Sequence, residues 1–450
     1  MTKTALYVAR LALALWLGLT LNLAWAAPND KSISYVFAIY DASGYGSSLE
    51  TLRQLLPSTR PQIKEVKQFP QSVPGAPAPL LRAVWEPQAD KNFRPPSLNQ
   101  LQYFGRGLSR EQAQALSGSK QALIVEFQVP RQENLAAMQA ALTLMEQVAR
   151  KTGGLLWDDE TREAFTPDAW HGRLEGWSGP WPKVSKHITI HSYKATETGV
   201  RAITLGLRKF GVPDLVISDF NWSDNQAIGE LMNIAAQMLV EKQGTVTSGT
   251  WDLQTTLLQH TAAREQANAQ LLDQGKAALK LTLAPATRDD GDPPNLLWEL
   301  AFDRYAGDDL HVRRATMLRQ HFVGKSKVLM VQHDAELEAA KTAARAKLPA
   351  LRNHFQTKLV PGESILVKAP FKTDTGGIEW MWVAVNAWEG TQITGLLVSD
   401  PRLSKKLKAG QTVKVSQDDL FDYLHRKPDG TTEGNTTSKI IERIQKSSLP

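Results

Sequence analysis

An α+β protein is expected, with ferredoxin-like sandwich units followed by a small bent antiparallel sheet or partly open barrel with flanking helices. Three observations lead there. Strand-like and helix-like runs alternate twice over residues 33–240. The stretch 364–424 then breaks into short β-branched and aromatic runs separated by Gly, Pro and Asp, the pattern of consecutive antiparallel strands. At 450 residues the chain also exceeds what one hydrophobic core usually serves. The expected boundaries are a signal peptide at 1–26, an α+β domain at 27–244 (one unit or two similar halves), a looser α+β segment at 245–333 and a C-terminal domain at 334–450.

The first 26 residues stand apart. Lys3 and Arg10 form a positive start, residues 11–23 are apolar, and Ala24-Trp25-Ala26 fits the small-x-small rule for signal peptidase. Cleavage after Ala26 leaves Ala27-Pro28 at the new N-terminus, whereas cleavage after Ala27 would place Pro28 beside the scissile bond. The expectation is an exported, soluble, periplasmic protein with no integral membrane segment once the signal is removed. The chain has no cysteine, which excludes disulfides, thiolate metal sites and a Cys nucleophile. Net charge is +6; the first 26 residues hold two basic and no acidic side chains, leaving +4. So mild and interspersed a charge reads as solubility, and no nucleic-acid partner is expected.

Residues 33–40 (ISYVFAIY) read as a strand, followed by an amphipathic helix at 48–56, a proline-rich excursion at 57–96 and a short strand at 80–85. A helix at 109–116 opens with a Ser109-x-x-Gln112 capping box, in which each side chain satisfies the other residue's free N–H. Strand 122–129 follows. Leu135, Met138, Leu142, Met145 and Val148 recur every three or four residues, marking one buried helix face that Gly153-Gly154 stops. The second unit is read as strand 187–193, a helix carrying Val200, Ile203, Leu207 and Phe210 and closed by Gly211, strand 215–218 and helix 226–240. Next come a polar helix at 253–273, strands at 277–283 and 296–302, and an Ala/Lys-rich helix at 335–348 that stops before Pro349. In the last stretch, strands are expected at 365–371, 378–385, 393–398 and 413–415, with a closing helix at 418–424.

Several fragments invite a chemical reading and are better explained by structure. Ser117-x-x-Lys120, Lys151-Thr152-Gly153 and Ser223-Asp224-Asn225 resemble the signature of penicillin-recognising serine enzymes, but they stand in the wrong order. The first two sit at helix ends and the third reads as a capping box with Gln226. His187 and His191, on one strand, would lie about 13 Å apart at ~3.3 Å per residue, too far to share a metal. Asp158-Asp159-Glu160 and Asp289-Asp290-x-Asp292 read as solvated turns, since neither meets the ligand pattern of a calcium loop. Trp157, Trp170, Trp177 and Trp181 offer a carbohydrate platform or packing for an irregular loop, packing being the simpler account. No cofactor or metal pattern and no convergent catalytic set is legible.

The C-terminal quarter resembles the YegJ-like domain, a bacterial family of unknown function. The likeness rests on Leu348-Pro349, Val367-Lys368, Glu379-Trp-Met-Trp382-Val383-x-Val385, Gly395-x-Leu397, Leu407-Lys-Ala-Gly410-x-x-Val413 and Asp419-x-x-Asp422-Tyr423. The family usually has Trp where Tyr423 stands. A weaker likeness, to longer bacterial proteins with this domain, rests on Gly154-Leu-Leu-Trp157-Asp158 and Gly211-Val-Pro213-Asp214. The resemblance implies a fold module and no catalytic residues. Within it, Glu379-Trp-Met-Trp-Val383 reads as a central strand covered on both faces.

The functional expectation is therefore a binding or interaction protein of the cell envelope, whose partner is a protein or an envelope component. Trp382, Asp422, Trp157 and Trp170 are its candidate binding surface. The alternative is a periplasmic hydrolase or ligand-binding enzyme with a site between domains, built from Asp158, Asp219, His187 or the tryptophans.

Overall fold

The computed structural model describes residues 31–41, 47–70, 78–195, 199–243, 245–322, 335–357, 359–374, 376–399, 401, 403–404 and 406–440. Residues 1–26, expected as a signal peptide, and the expected cleavage residues Ala26 and Ala27 lie outside them. No helix among the described residues is long and apolar enough to cross a membrane.

The N-terminal unit is assembled from β1 (Ser32–Tyr40), α1 (Ser47–Leu55), β2 (Leu80–Glu86), α2 (Leu98–Phe104), α3 (Arg110–Ser117), β3 (Ala122–Pro130), α4 (Asn134–Thr152), β4 (Leu155–Asp158), β5 (Glu163–Phe165) and α5 (Pro167–Leu174). Its four longest strands run β2-β3-β1-β4, each antiparallel to its neighbour. This is the order of a ferredoxin-like unit, because α1 carries the chain from β1 past β3 to β2, and α4 carries it from β3 past β1 to β4. Both capping residues of α3 act as the sequence implies: Ser109 accepts from the Gln112 N–H and Gln112 reaches back. Gly153 takes the left-handed conformation (φ 70°) that ends α4.

The second unit is built differently. β6 (Thr189–Lys194), β7 (Val200–Leu205) and β8 (Asp214–Phe220) form an antiparallel meander, followed by α6 (Asn225–Glu241), β9 (Gly249–Leu253), α7 (Thr261–Gln270), β10 (Leu279–Pro285), β11 (Leu297–Ala301) and α8 (Leu310–His321). The sheet order is β6-β7-β8-β11-β10-β9, with β8 and β11 parallel. Strands from both sides of residue 244 thus complete one sheet. Residues 200–210 correct the helix expected there: all six residues of β7 are buried. A strand covered on both faces has no polar alternation to betray it, and its apolar spacing imitates a helix face. Only Leu207–Phe210 coils, as a 3₁₀ turn between Gly206 (φ 106°) and Gly211 (φ 69°). The two units share a continuous core running from Ile33 to Phe322.

The C-terminal module consists of α9 (Ala335–Gln356), β12 (Ser364–Lys372), β13 (Ile378–Glu389), β14 (Gln392–Leu397), β15 (Thr412–Ser416), β16 (Asp422–Arg426) and β17 (Thr432–Gly434). The sheet runs β15-β14-β13-β12-β16-β17 and stays open. β13 is central, and Met381, Val383 and Val385 meet Ala344, Leu348 and Leu351 of α9 in a separate core. Two expectations are corrected. α9 continues through Pro349: the proline cannot donate to the Arg345 carbonyl, but both residues are exposed, on the side of the helix that water can reach. Residues 418–424 do not form a helix: a 3₁₀ turn at Gln417–Asp419 leads into β16, which pairs with β12 from Asp422 to Arg426.

Candidate functional site

A cleft of ≈1290 Å³ opens where the two N-terminal units and the C-terminal module meet. The N-terminal unit supplies Arg106, Arg150, Glu163 and the Thr166–Ala169 start of α5; the second unit supplies Ser185, Lys186, Ile188, Thr189, Ile190 and Asn233; the module supplies Lys427–Gly430, the loop that leaves β16. The module is held to this edge by the Gly362 N–H, which donates to the Gln102 carbonyl at 2.7 Å. Gly362 needs its positive φ of 81° there, and a Cβ would lie 3.2 Å from the Gly105 carbonyl.

Behind the cleft lies a buried ionic centre that joins the two N-terminal units. Asp158, at the end of β4, is fully buried. Its Oδ2 accepts from Arg173 Nη1 at 2.7 Å and from Lys209 Nζ, while Oδ1 accepts from the Glu160 and Thr161 N–H groups at 2.9 and 3.3 Å. Arg173 comes from α5, and Lys209 from the 3₁₀ turn of the second unit. The Arg173 guanidinium sits over the Phe165 and Trp170 rings, 4.1 and 4.7 Å from their centroids. Burial pushes the Asp158 carboxyl up, and the two cations more than offset it, holding it below the usual carboxylate range. Glu160 lacks so close a cation, Arg208 being 3.9 Å away. Burial lifts its carboxyl to about 8. The acidic run expected as a solvated turn is therefore an interior charge cluster.

The centre reaches the cleft through Glu163, which lies 3.7 Å from Arg173 and takes a 2.5 Å salt bridge from Arg106. In the cleft wall, Asp168 pairs with Arg150 at 2.8 Å, and Asp429 accepts from the N–H and hydroxyl of Thr431 at 2.8 and 2.7 Å. Each carboxylate lining the cleft thus already serves an arginine or its own loop.

The residues singled out from the sequence are dispersed. Trp157 and Trp170 are 2 % and 0 % exposed, so neither can present a ring to a partner. This corrects their place on a binding surface. Asp422 is corrected likewise: it is buried, and its Oδ2 accepts from the Thr437 N–H and hydroxyl at 2.8 and 2.6 Å. Trp382 is half-buried, with Lys368 Nζ 5.7 Å from its ring centroid. His187 caps the C-terminal end of the 3₁₀ turn Val184–Lys186, not a strand, and is sealed against Trp177 and Phe210. Asp219 faces His311 at 3.0 Å. Asp292 is also not solvated, since Arg201 holds it at 2.7 Å. Residue 117 ends α3, residues 151–153 end α4, and α6 starts after Asp224, one residue later than the expected cap Ser223.

His191 stacks on Phe104 of α2, with centroids 4.7 Å apart. Burial, then the nearby Arg162 guanidinium, lower its imidazole to about 4. A base whose folded pKa lies below its unfolded value near 6.5 contributes stability above pH 6.5 that is lost as pH falls through about 4. His191→Phe keeps the stack and removes the titration. Urea midpoints should show the wild type losing about 1–3 kcal/mol more than His191→Phe between pH 7 and pH 4. Parallel pH profiles would refute this.

A second cluster was not legible in the sequence. His354 in the last turn of α9, Glu363 just before β12 and His425 in β16 converge on one point: both Nε2 atoms lie on Glu363 Oε1, at 2.7 and 2.5 Å. Their ligand atoms all fall within 4.8 Å of one another. Burial pushes the Glu363 carboxyl up, but the Val360 N–H and the two imidazoles bring it below the usual range. The ligands are 9 and 62 residues apart along the chain, so no spacing rule finds them; only the pairing of β16 with β12 brings them together.

Residues 334–448 match the family model described as an uncharacterized protein conserved in bacteria (DUF2314). The family likeness read from the C-terminal quarter is thereby borne out, and it remains a domain of unknown function. No curated protein and no solved structure matches the chain.

Proposed function

We propose that this chain is an exported binding protein of the cell envelope that seats an extended segment of a protein partner in the cleft between its N-terminal units and its C-terminal module. The size of the cleft carries the reading. At ≈1290 Å³ it exceeds the ~300–1,000 Å³ of pockets that enclose small ligands. Arg106 and Arg150 pair with Glu163 and Asp168 in its wall and Arg173 with Asp158 behind it, while Lys186 and Lys427 are exposed along it, so a polar segment with acidic character suits the two lysines. Hydrolysis finds less support: Asp158 and His187 are sealed inside, Asp219 pairs with His311, and the carboxylates of the cleft are already committed. Export rests on the charged start, the apolar run and Ala24-Trp25-Ala26.

The test is cross-linked capture from the native envelope fraction, comparing the wild type with a Lys186→Glu, Lys427→Glu variant. Both side chains are exposed, so the fold should not change. Reversing them should lower partner recovery about tenfold, or ~1.4 kcal/mol. Equal recovery by both proteins would sink the cleft as the binding site. A chain still carrying residues 1–26 in the cytoplasm would sink the export.

A further inference from the structure

We propose that His354, Glu363 and His425 bind one divalent transition-metal ion of the zinc class. The inference is independent of the cleft reading, since it rests on the module's own side chains.

Two imidazole nitrogens and one carboxylate form a donor set that zinc takes in open sites with three protein ligands, whereas calcium and magnesium select oxygen. The geometry is close to what such an ion requires. In a tetrahedral site with ~2.0–2.1 Å bonds, ligand atoms stand about 3.3 Å apart. Here the Nε2–Oε1 distances are 2.7 and 2.5 Å, so a small retreat of the carboxylate makes room. For both contacts to be hydrogen bonds, each Nε2 must donate to the same oxygen. A divalent ion at that point takes the place of both Nε2 protons, each imidazole then ligating as the neutral Nδ1–H tautomer.

The support around the ligands is also that of a metal site. Glu363 and His425 are buried, and Glu363 Oε2 accepts from the Val360 N–H at 2.9 Å, which fixes the carboxylate's orientation. The His354 side chain is 44 % exposed, leaving one side of the site open to water or a fourth ligand. Each ligand rides on a different element: α9, packed on the sheet through Leu348 and Leu351, the β12 approach, and β16. Gly362, next to Glu363, is hydrogen-bonded to the N-terminal unit, and the loop after β16 forms part of the cleft wall. An ion here would clamp three elements of the module at the edge that faces the cleft.

The experiment uses the full chain without an affinity tag, stripped with a chelator and titrated first with Co²⁺, followed by its visible d–d absorption, then with Zn²⁺ by calorimetry. One equivalent of Co²⁺ should bind with the absorption of a four- or five-coordinate ion, and Zn²⁺ should displace it. His354→Ala, at an exposed position, should weaken binding by at least about 100-fold with an unchanged circular-dichroism spectrum. Glu363→Gln should do the same if the module still folds. The proposal is overturned if the wild type develops no such absorption, or if His354→Ala binds like the wild type. Either result would leave the cluster as a hydrogen-bonded clamp between α9 and the sheet.

Discussion

Asp158→Asn is expected to destabilise the chain by about 3–5 kcal/mol, the cost of removing one partner from a buried ion pair. The magnitude follows from what the substitution leaves behind. Arg173 and Lys209 have side chains 2 % and 1 % exposed, and without the carboxylate they share they are left as neighbouring buried cations, Arg173 keeping a 3.7 Å contact to Glu163. Lys209→Met should cost less than half as much. Asp158 then keeps Arg173 and two backbone N–H donors, and burial already disfavours the Lys209 charge. The double variant should therefore be less damaged than the sum of the two, a coupling that urea denaturation of all four proteins measures. Because Lys209 enters from the second unit, Asp158→Asn should also weaken the joint between units, showing as a broadened or two-step transition. A single sharp transition within 1 kcal/mol of wild type would contradict the assignment.

That centre also marks where sequence reading stopped. Strands set between breakers were legible because runs of β-branched and aromatic residues are a local signal: β1, β3, β12, β13 and β14 all stand where the patterns put them. The helix face of α4 was legible for the same reason. β7 was not, because Val200, Ile203, Leu207 and Phe210 recur every three or four residues and imitate a helix face. β16 was not, because its polar ends, Asp422, His425 and Arg426, resemble a helix until Asp422 is seen satisfied by Thr437 and His425 by Glu363. Charged side chains read as solvated by default, and Asp158, Asp292 and Glu160 overturn the default through tertiary partners that no local pattern names. The His354–Glu363–His425 cluster is the extreme case, gathered wholly by strand pairing.

Trp170→Ala should cost about 3–5 kcal/mol, the range for truncating a large aromatic in a core. The indole is fully buried, meets Phe37 and Phe165 edge-on at centroid distances of 5.1 and 5.3 Å, and donates from Nε1 to the Leu142 carbonyl at 3.0 Å. It also covers one side of the Arg173 guanidinium. Its loss thus opens a cavity and loosens the ionic centre together, so Trp170→Ala and Asp158→Asn should be non-additive. Trp382→Ala supplies the contrast. That ring is half-buried on the sheet face away from α9, and its removal should shift the urea midpoint by less than about 1 kcal/mol. Trp170→Ala within 1 kcal/mol of wild type would mean that the core tolerates the cavity and that the packing account is wrong. A Trp382→Ala chain of wild-type stability with lower partner recovery would instead extend the binding surface onto the open sheet. The two tryptophans look alike in the sequence; burial assigns Trp170 to the core and leaves the Trp382 ring only partly covered.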